Sequence, residues 1–303
     1  MSSAATSRSS ESRVASGEQL ERHHRSLWGD AARRLSRNPG AVVGLALLVI
    51  IIIAAVAAPL LTPYDPLKIV AGQRLKPPSL VHPFGTDAFG RDILARIMYG
   101  ARISLRVGIV SVGIAVLLGV TSGMGAGYFG GRVDTIVMRV ADITLAFPGI
   151  LLALVVIAVL GPSLFNAMIA VGIAAAPTYA RVARGMVLKT KTELFVESAI
   201  SVGCPSQHVL ARHVLPNILG PLVVIATLGV AGAIIAGAAL SFLGLGAQPP
   251  TPEWGLILSE GRSYLRNAWW ITTFPGVAIM IVVLSINLLG DGLRDALEPK
   301  MTR

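Results

Sequence analysis

The stretch ESAISVGCPSQHVLARHVLPN, residues 197–217, interrupts a chain that carries long uncharged runs on either side of it. Residues 143–180 contain no charge, and neither do residues 217–252. A bilayer core about 30 Å thick is crossed by roughly 20 apolar residues in a helix. The first run is therefore long enough for two crossings and the second for one. The quoted stretch holds a glutamate, an arginine, two histidines, a glycine and two prolines. Hydrocarbon excludes that composition, and two short helices outside the membrane accommodate it.

Thr190 and Glu193 have capping-box spacing, which predicts a helix that starts there and runs through Ser201. Gly203 supplies the permissive dihedral angles of a helix end. Pro205 suits the first turn of a second helix, with Val209, Leu210, Val214 and Leu215 on its apolar side. Pro216 closes that helix and Asn217 opens the next span. Ser198 and Ala199 leave a small-residue surface that a partner's groove can approach. Such a segment is either a rigid projection that receives a push from a separate motor or an interfacial loop packed only against its own chain. The residues by themselves leave both open.

The rest of the chain fits an all-α polytopic membrane protein. Of 303 residues 53% are hydrophobic and 14% charged, where a soluble domain carries about 25% charged. Residues 1–25 are rich in Ser, Arg and Glu and are expected to form a disordered cytoplasmic tail. Residues 26–39 form an amphipathic interfacial helix, with Leu27, Trp28, Ala31, Ala32 and Leu35 on one face and Arg33, Arg34 and Arg37 on or near the other. Residues 40–61 are the first transmembrane helix; the tail before it and its length are too great for a cleaved signal peptide. Residues 62–100 are a proline-rich extracytoplasmic loop, and 101–303 the core domain, with its polar segment at 190–217. Further spans are expected at 107–129, in the two halves of 143–180 divided by Gly161-Pro162, from Asn217 onward, and at 267–290 behind an interfacial Trp269-Trp270 pair. The third is expected to begin as early as Val133.

Six spans put both termini on one side. That side would hold 17 of the 26 Lys and Arg residues, so the positive-inside rule makes both termini cytoplasmic. The net charge of +10 reads as topology signals and contacts with anionic lipid headgroups rather than as a nucleic-acid surface. Small residues recur every fourth position at Gly119, Gly123, Gly127 and Gly131, and again at Gly229, Ala233 and Gly237. That spacing lets helix backbones approach closely in lipid.

Enzyme chemistry finds no residues here. GTDAFGRD (85–92) has phosphate-loop glycine spacing, but Arg91 and Asp92 stand where Lys and Ser/Thr are required. His208 and His213 are five apart, not at metal-site spacing, and no histidine falls inside an expected span. The lone Cys204 excludes an internal disulfide. No cofactor or metal is expected.

Glu197-Ser198-Ala199, Gly203 and Leu215-Pro216 closely resemble the EAA signature of permeases of ATP-binding cassette importers, with Ser198 for the usual Ala and His213 where an aliphatic residue is common. LSRNPGAVVGLALL (35–48), FGTDAFGRDILARIMYGARISL (84–105), TYARVARG (178–185), ALSFLGLGAQPPTPEWGLILSEG (239–261) and LLGDGLRDALEPK (288–300) resemble the second, C-type permease subunit of dipeptide, oligopeptide and nickel importers. The resemblance implies a type I importer permease fold in a prokaryotic cytoplasmic membrane. It makes Glu197, Ser198, Ala199, Gly203, Leu215 and Pro216 a coupling segment that docks on an ATPase. It also implies a second permease subunit of the same fold, two cytoplasmic ATPase subunits and an extracytoplasmic substrate-binding protein. The cargo would be dipeptides or short oligopeptides, with nickel or another small solute as the alternative. A self-sufficient carrier would want ionisable residues at mid-span, and the uncharged runs offer none.

Overall fold

The structure, a computed structural model, describes residues 27–297; the expected tail, 1–25, and the Trp28 side chain lie outside what is described. Twelve α-helices are numbered here, with no strand among the described residues beyond an isolated bridge between Thr86 and Asp92. Helix α1 (Leu27–Leu35) ends where Asn38 caps α2 (Pro39–Val56), its side chain accepting from the Ala41 amide at 3.2 Å. Pro39 is the first residue of α2, where its missing N–H costs nothing. Asn38 also donates to Asp295 at 3.2 Å, which ties this corner to the last described turns of the helix at Trp270–Leu297.

The short α3 (Ala58–Leu61) leads into the proline-rich loop, which ends sooner than expected. Asp92 accepts from the Ala95 amide at 2.7 Å and starts α4 (Ile93–Phe129) as one unbroken helix of 37 residues. Next come α5 (Gly131–Leu145), α6 (Gly149–Leu160) and α7 (Leu164–Lys191). The expected third span is not one straight helix. α5 and α6 are bent by 97°, because Pro148 has no amide to donate and disfavours helix at the residue before it. α5 carries Arg132, Asp134, Arg139 and Asp142, and two ion pairs hold it to α7. Asp134 binds Arg184, with Nη2 to Oδ2 at 2.6 Å, and Asp142 binds Arg181 at 2.7 Å.

α8 (Leu194–Ser201) follows; then α9 (Ser206–His208) runs through a π-turn (Val209–Val214) into α10 (Leu215–Phe242). The short α11 (Trp254–Gly261) and the long α12 (Trp270–Leu297) complete the bundle. Of the expected tryptophan pair only Trp269 is exposed. Trp270 is buried, its Nε1 donating to the Thr86 carbonyl at 3.0 Å beneath the loop.

Among the described residues four segments are long and apolar enough to cross a membrane alone: α2, α4, the continuous 206–242 rod and α12. The bent α5–α6 pair would make a fifth. The uncharged part of α7, 164–180, is 17 residues long and precedes four basic ones.

The glycine stripe of α4 faces α7. A Cβ on Gly119 would stand 2.3 Å from the Ala176 carbonyl oxygen, on Gly123 2.2 Å from that of Ala180, and on Gly127 3.0 Å from that of Arg184. Gly131 does not continue the stripe: it has φ +54 and open space around it, and it turns the chain into α5. On α10, Gly237 faces Val107, Gly229 faces the Tyr179 hydroxyl, and Ala233 is buried.

Candidate functional site

The polar segment forms a corner at the end of α7. Helix α7 continues to Lys191, so Thr190 belongs to it and the expected capping box does not form. Glu193 is the N-cap of α8 through its backbone alone. α8 ends on Gly203, with φ +83. The Gly203 amide donates to Ile200 O at 2.9 Å and the Cys204 amide to Ala199 O at 3.1 Å. These two bonds define a Schellman end, which favours glycine at its left-handed position.

Glu197, Ser198 and Gly203 are exposed on this corner. Ala199, expected on the surface, is buried instead. It packs with Val196, Val209 and Val214 in the inner core, because the three-residue step from Val196 to Ala199 places both on one helical face. The surface that a partner would meet is made by larger side chains: Leu194 and Val202 are each 79% exposed, and Phe195 and Ile200 stand beside them. Ser198 Oγ donates back to Leu194 O at 2.8 Å and Ser201 Oγ to Glu197 O at 2.9 Å, so each hydroxyl proton is spent within the helix and only acceptor capacity is left for a partner.

Pro216 does not close a helix. Helix continues from Ser206 to Phe242 over 37 residues. The turn before the proline widens, so that the Leu215 amide bonds to Leu210 O, five residues back. A π-turn relieves the clash of a proline ring with the preceding turn. Asn217 Nδ2 donates to His213 O at 2.6 Å. Leu215 is half-buried and Pro216 exposed.

The far part of this rod lines a cavity of about 470 Å³ between α4, α6, α7 and α10. Its α10 wall runs from Ile225 through Leu228, Gly229, Gly232, Ala233 and Ala236 to Leu240. The lining is mainly apolar, with hydroxyls from Ser111, Thr178 and Tyr179. Ser111 Oγ is buried with no hydrogen-bond partner among the described residues. Gly229 leaves the room that Tyr179 Oη occupies, since a Cβ there would lie 2.0 Å from it.

At the other end of α4 lies a buried ion cluster that sequence reading missed. Arg96, 0% exposed, binds Asp87 and Glu260 at 2.7 Å each. Arg91 binds Asp87 at 2.6 Å and Glu260 at 2.8 Å. His82 Nδ1 donates to Asp92 at 2.8 Å. GTDAFGRD is thus the frame of this cluster, which pins the loop to α4 and α11. Nearby, Glu253 caps α11 by accepting from the Leu256 amide at 2.9 Å. Burial raises its pKa, against the lowering effect of bonds from Gly255, Leu256, Ser241 and Ser104.

Residues 115–303 match the family described as binding-protein-dependent transport system inner membrane component. Residues 26–78 match the N-terminal TM domain of oligopeptide transport permease C. The chain is 48% identical over 276 residues to a dipeptide transport system permease protein of Alkalihalophilus pseudofirmus, with 91% of each chain covered. It is 43% identical to a di/tripeptide permease of Pseudomonas aeruginosa, over 88% of this chain and 90% of that one. A glutathione transport system permease protein of Escherichia coli is 45% identical, over 91% and 92%. Among solved structures, a chain of the inward-facing MetNI methionine ABC transporter superposes with a TM-score of 0.52 at 21% identity. The match covers 67% of this chain and 97% of that one.

Proposed function

Because the chain belongs to the family of binding-protein-dependent transport system inner membrane components, we propose that it is the C-type permease subunit of an ATP-driven importer of short peptides. It is a multi-pass inner-membrane protein and a transport subunit, not an enzyme. The cargo class follows from the relatives, whose names specify a dipeptide, di- and tripeptides, and glutathione, itself a tripeptide.

One observation carries the mechanism: the unbroken helix from Ser206 to Phe242. At about 1.5 Å per residue it spans about 55 Å. Its first turns adjoin the Gly203 corner, and Ile225 to Leu240 form one wall of the cavity. An ATPase that grips α8 at Leu194, Glu197 and Val202 would move a lever whose other end borders the peptide's path. In this reading the corner and both termini are cytoplasmic, and α7 crosses as the fourth span, which brings the total to six. A second permease subunit supplies the facing half of the pathway. Two ATPase subunits supply the force, and a binding protein delivers cargo to the face that carries the ion cluster.

The test is reconstitution of the chain with its partner permease, ATPases and binding protein in proteoliposomes. Dipeptide uptake should require hydrolysable ATP and survive collapse of ion gradients. Uptake by this chain alone, driven by an ion gradient, would overturn the reading. So would reporter fusions that place residue 195 outside.

A further inference from the structure

Four arginines, at 91, 96, 102 and 106, accompany the chain from the loop into α4. Arg91 and Arg96 are neutralised inside the buried cluster. Arg102 and Arg106 are exposed, and neither pairs with a carboxylate among the described residues. Arg102 donates Nε to Ala55 O at 2.6 Å and Nη2 to Val56 O at 3.0 Å, the last carbonyls of α2. Arg102 therefore marks the level at which that span ends. Arg106 stands one turn, about 6 Å, further into the membrane-spanning part of α4. Helical side chains lean toward the helix N-terminus, so both guanidinium groups lean back toward the boundary.

The two arginines border a cavity of about 690 Å³ with Tyr64, Tyr99 and Asp65. Arg102 also lies over the Tyr99 ring, 5.3 Å from its centre. Asp65, the one carboxylate there, is exposed, and its Oδ1 accepts from the Leu67 amide at 2.8 Å. The site thus holds two positive charges against one negative. Past it, away from the loop, the surface is aliphatic, with Ile53, Val56 and Ile109 all exposed. Asp65 can balance only one of the two arginines, and a basic cluster beside hydrocarbon attracts anionic lipid headgroups. A ligand that combines an anion with long apolar chains satisfies both surfaces at once.

We propose that Arg102 and Arg106 hold the phosphate of an anionic phospholipid, whose acyl chains lie along Ile53, Val56 and Ile109. The site is not part of the peptide's path. Arg102 and Ser111 are nine residues apart on α4, which at about 3.6 residues per turn puts them on opposite sides of the helix. Ser111 lines the inner cavity, and the arginines face away from it.

The experiment is to purify the complete importer with added phosphatidylglycerol or phosphatidylcholine and to count retained lipid by native mass spectrometry. The parent should keep one phosphatidylglycerol more than the Arg102→Gln/Arg106→Gln variant, with phosphatidylcholine unchanged. Each single substitution should weaken phosphatidylglycerol binding about fivefold. Arg106→Gln is the cleaner arm, because Arg106 caps no helix. Arg74→Gln, exposed in the loop, should match the parent. Equal phosphatidylglycerol retention by parent and double variant would overturn the proposal, and so would displacement of the lipid by millimolar inorganic phosphate. Unchanged retention with lost uptake of free-acid but not C-terminally amidated peptides would assign the arginines to cargo instead.

Discussion

Gly203→Val is the sharpest probe of the corner. Nothing lies within 4 Å of a Cβ built at this position, so the substitution meets no neighbour and its cost is confined to the backbone. At φ +83 a β-branched residue is strained by about 2 kcal/mol. The corner is held by two backbone bonds, at 2.9 and 3.1 Å, each contributing about 1 kcal/mol. Strain and bonds then nearly cancel, and about half of the molecules should lose the Schellman end. The corner lies outside the apolar runs, so membrane abundance should stay at the parental level. Peptide uptake in proteoliposomes should fall between about twofold and tenfold, and ATP hydrolysis should lose its stimulation by loaded binding protein. Gly203→Asn should retain most activity, since asparagine tolerates the left-handed region. If Gly203→Val assembles and transports like the parent, α8 is only an interfacial loop and the lever argument is wrong.

Glu197→Lys reverses an exposed charge beside Leu194 and Val202 and should reduce uptake at parental abundance. Ser201→Ala, which loses only a bond back to Glu197 O, should transport almost normally. Gly123→Ala would place a Cβ 2.2 Å from the Ala180 carbonyl oxygen and should lower abundance severalfold on immunoblots, while Gly125→Ala, in open space, should not. Asp87→Asn leaves Arg91 and Arg96 with Glu260 as their one remaining carboxylate. Breaking a buried pair costs about 3–5 kcal/mol, so the thermal midpoint of the detergent-purified importer should fall well below that of the exposed-site control Asp65→Asn. Glu253 has its pKa raised above the ordinary value of 4.5. A raised carboxylate pKa contributes stability that is lost as pH rises through it, so Glu253→Gln should flatten the fall in thermal midpoint as pH rises above 4.5; an unchanged slope would exclude Glu253 as its source.

What the sequence made legible was what depends on neighbours along the chain. Uncharged runs located the apolar segments, a four-residue step marked Gly119, Gly123 and Gly127, and a glycine between short helical patterns marked the corner at 203. What it concealed depends on partners far away or on compensations that have no local signature. Arg96 reads as a membrane-flanking cation until Glu260, 164 positions later, is brought beside it. Pro216 reads as a helix end because its missing amide and ring clash are local facts, and the π-turn that absorbs them is not. Ala199 reads as surface because a small residue suits either a docking face or a close core contact. The bend at Pro148 was hidden within an uncharged run that continues through it, although the proline itself was in plain view.

The packing suggests why one rod can act as a lever. Gly119 and Gly123 bring α4 against backbone oxygens of α7, a contact with no side-chain ends to rearrange. α10 meets the same pair differently: Gly229 touches the Tyr179 hydroxyl and Gly237 touches Val107 Cγ1, both of which can shift by rotation. Backbone-to-backbone contact at Gly119 and Gly123 joins α4 to α7, while α10 meets that pair mainly through side chains, with one backbone approach where a Cβ on Gly108 would lie 3.1 Å from Val230 O; in the lever reading it is α10 that moves. The cavity lies between that pair and α10, so displacement of α10 at the corner must alter the cavity's shape. Gly203→Val and Gly123→Ala should therefore fail in different ways. The first leaves an intact bundle with a slack lever, and ATP hydrolysis continues unlinked to uptake. The second prises apart the pair against which the lever works, and the protein is lost before transport can be measured.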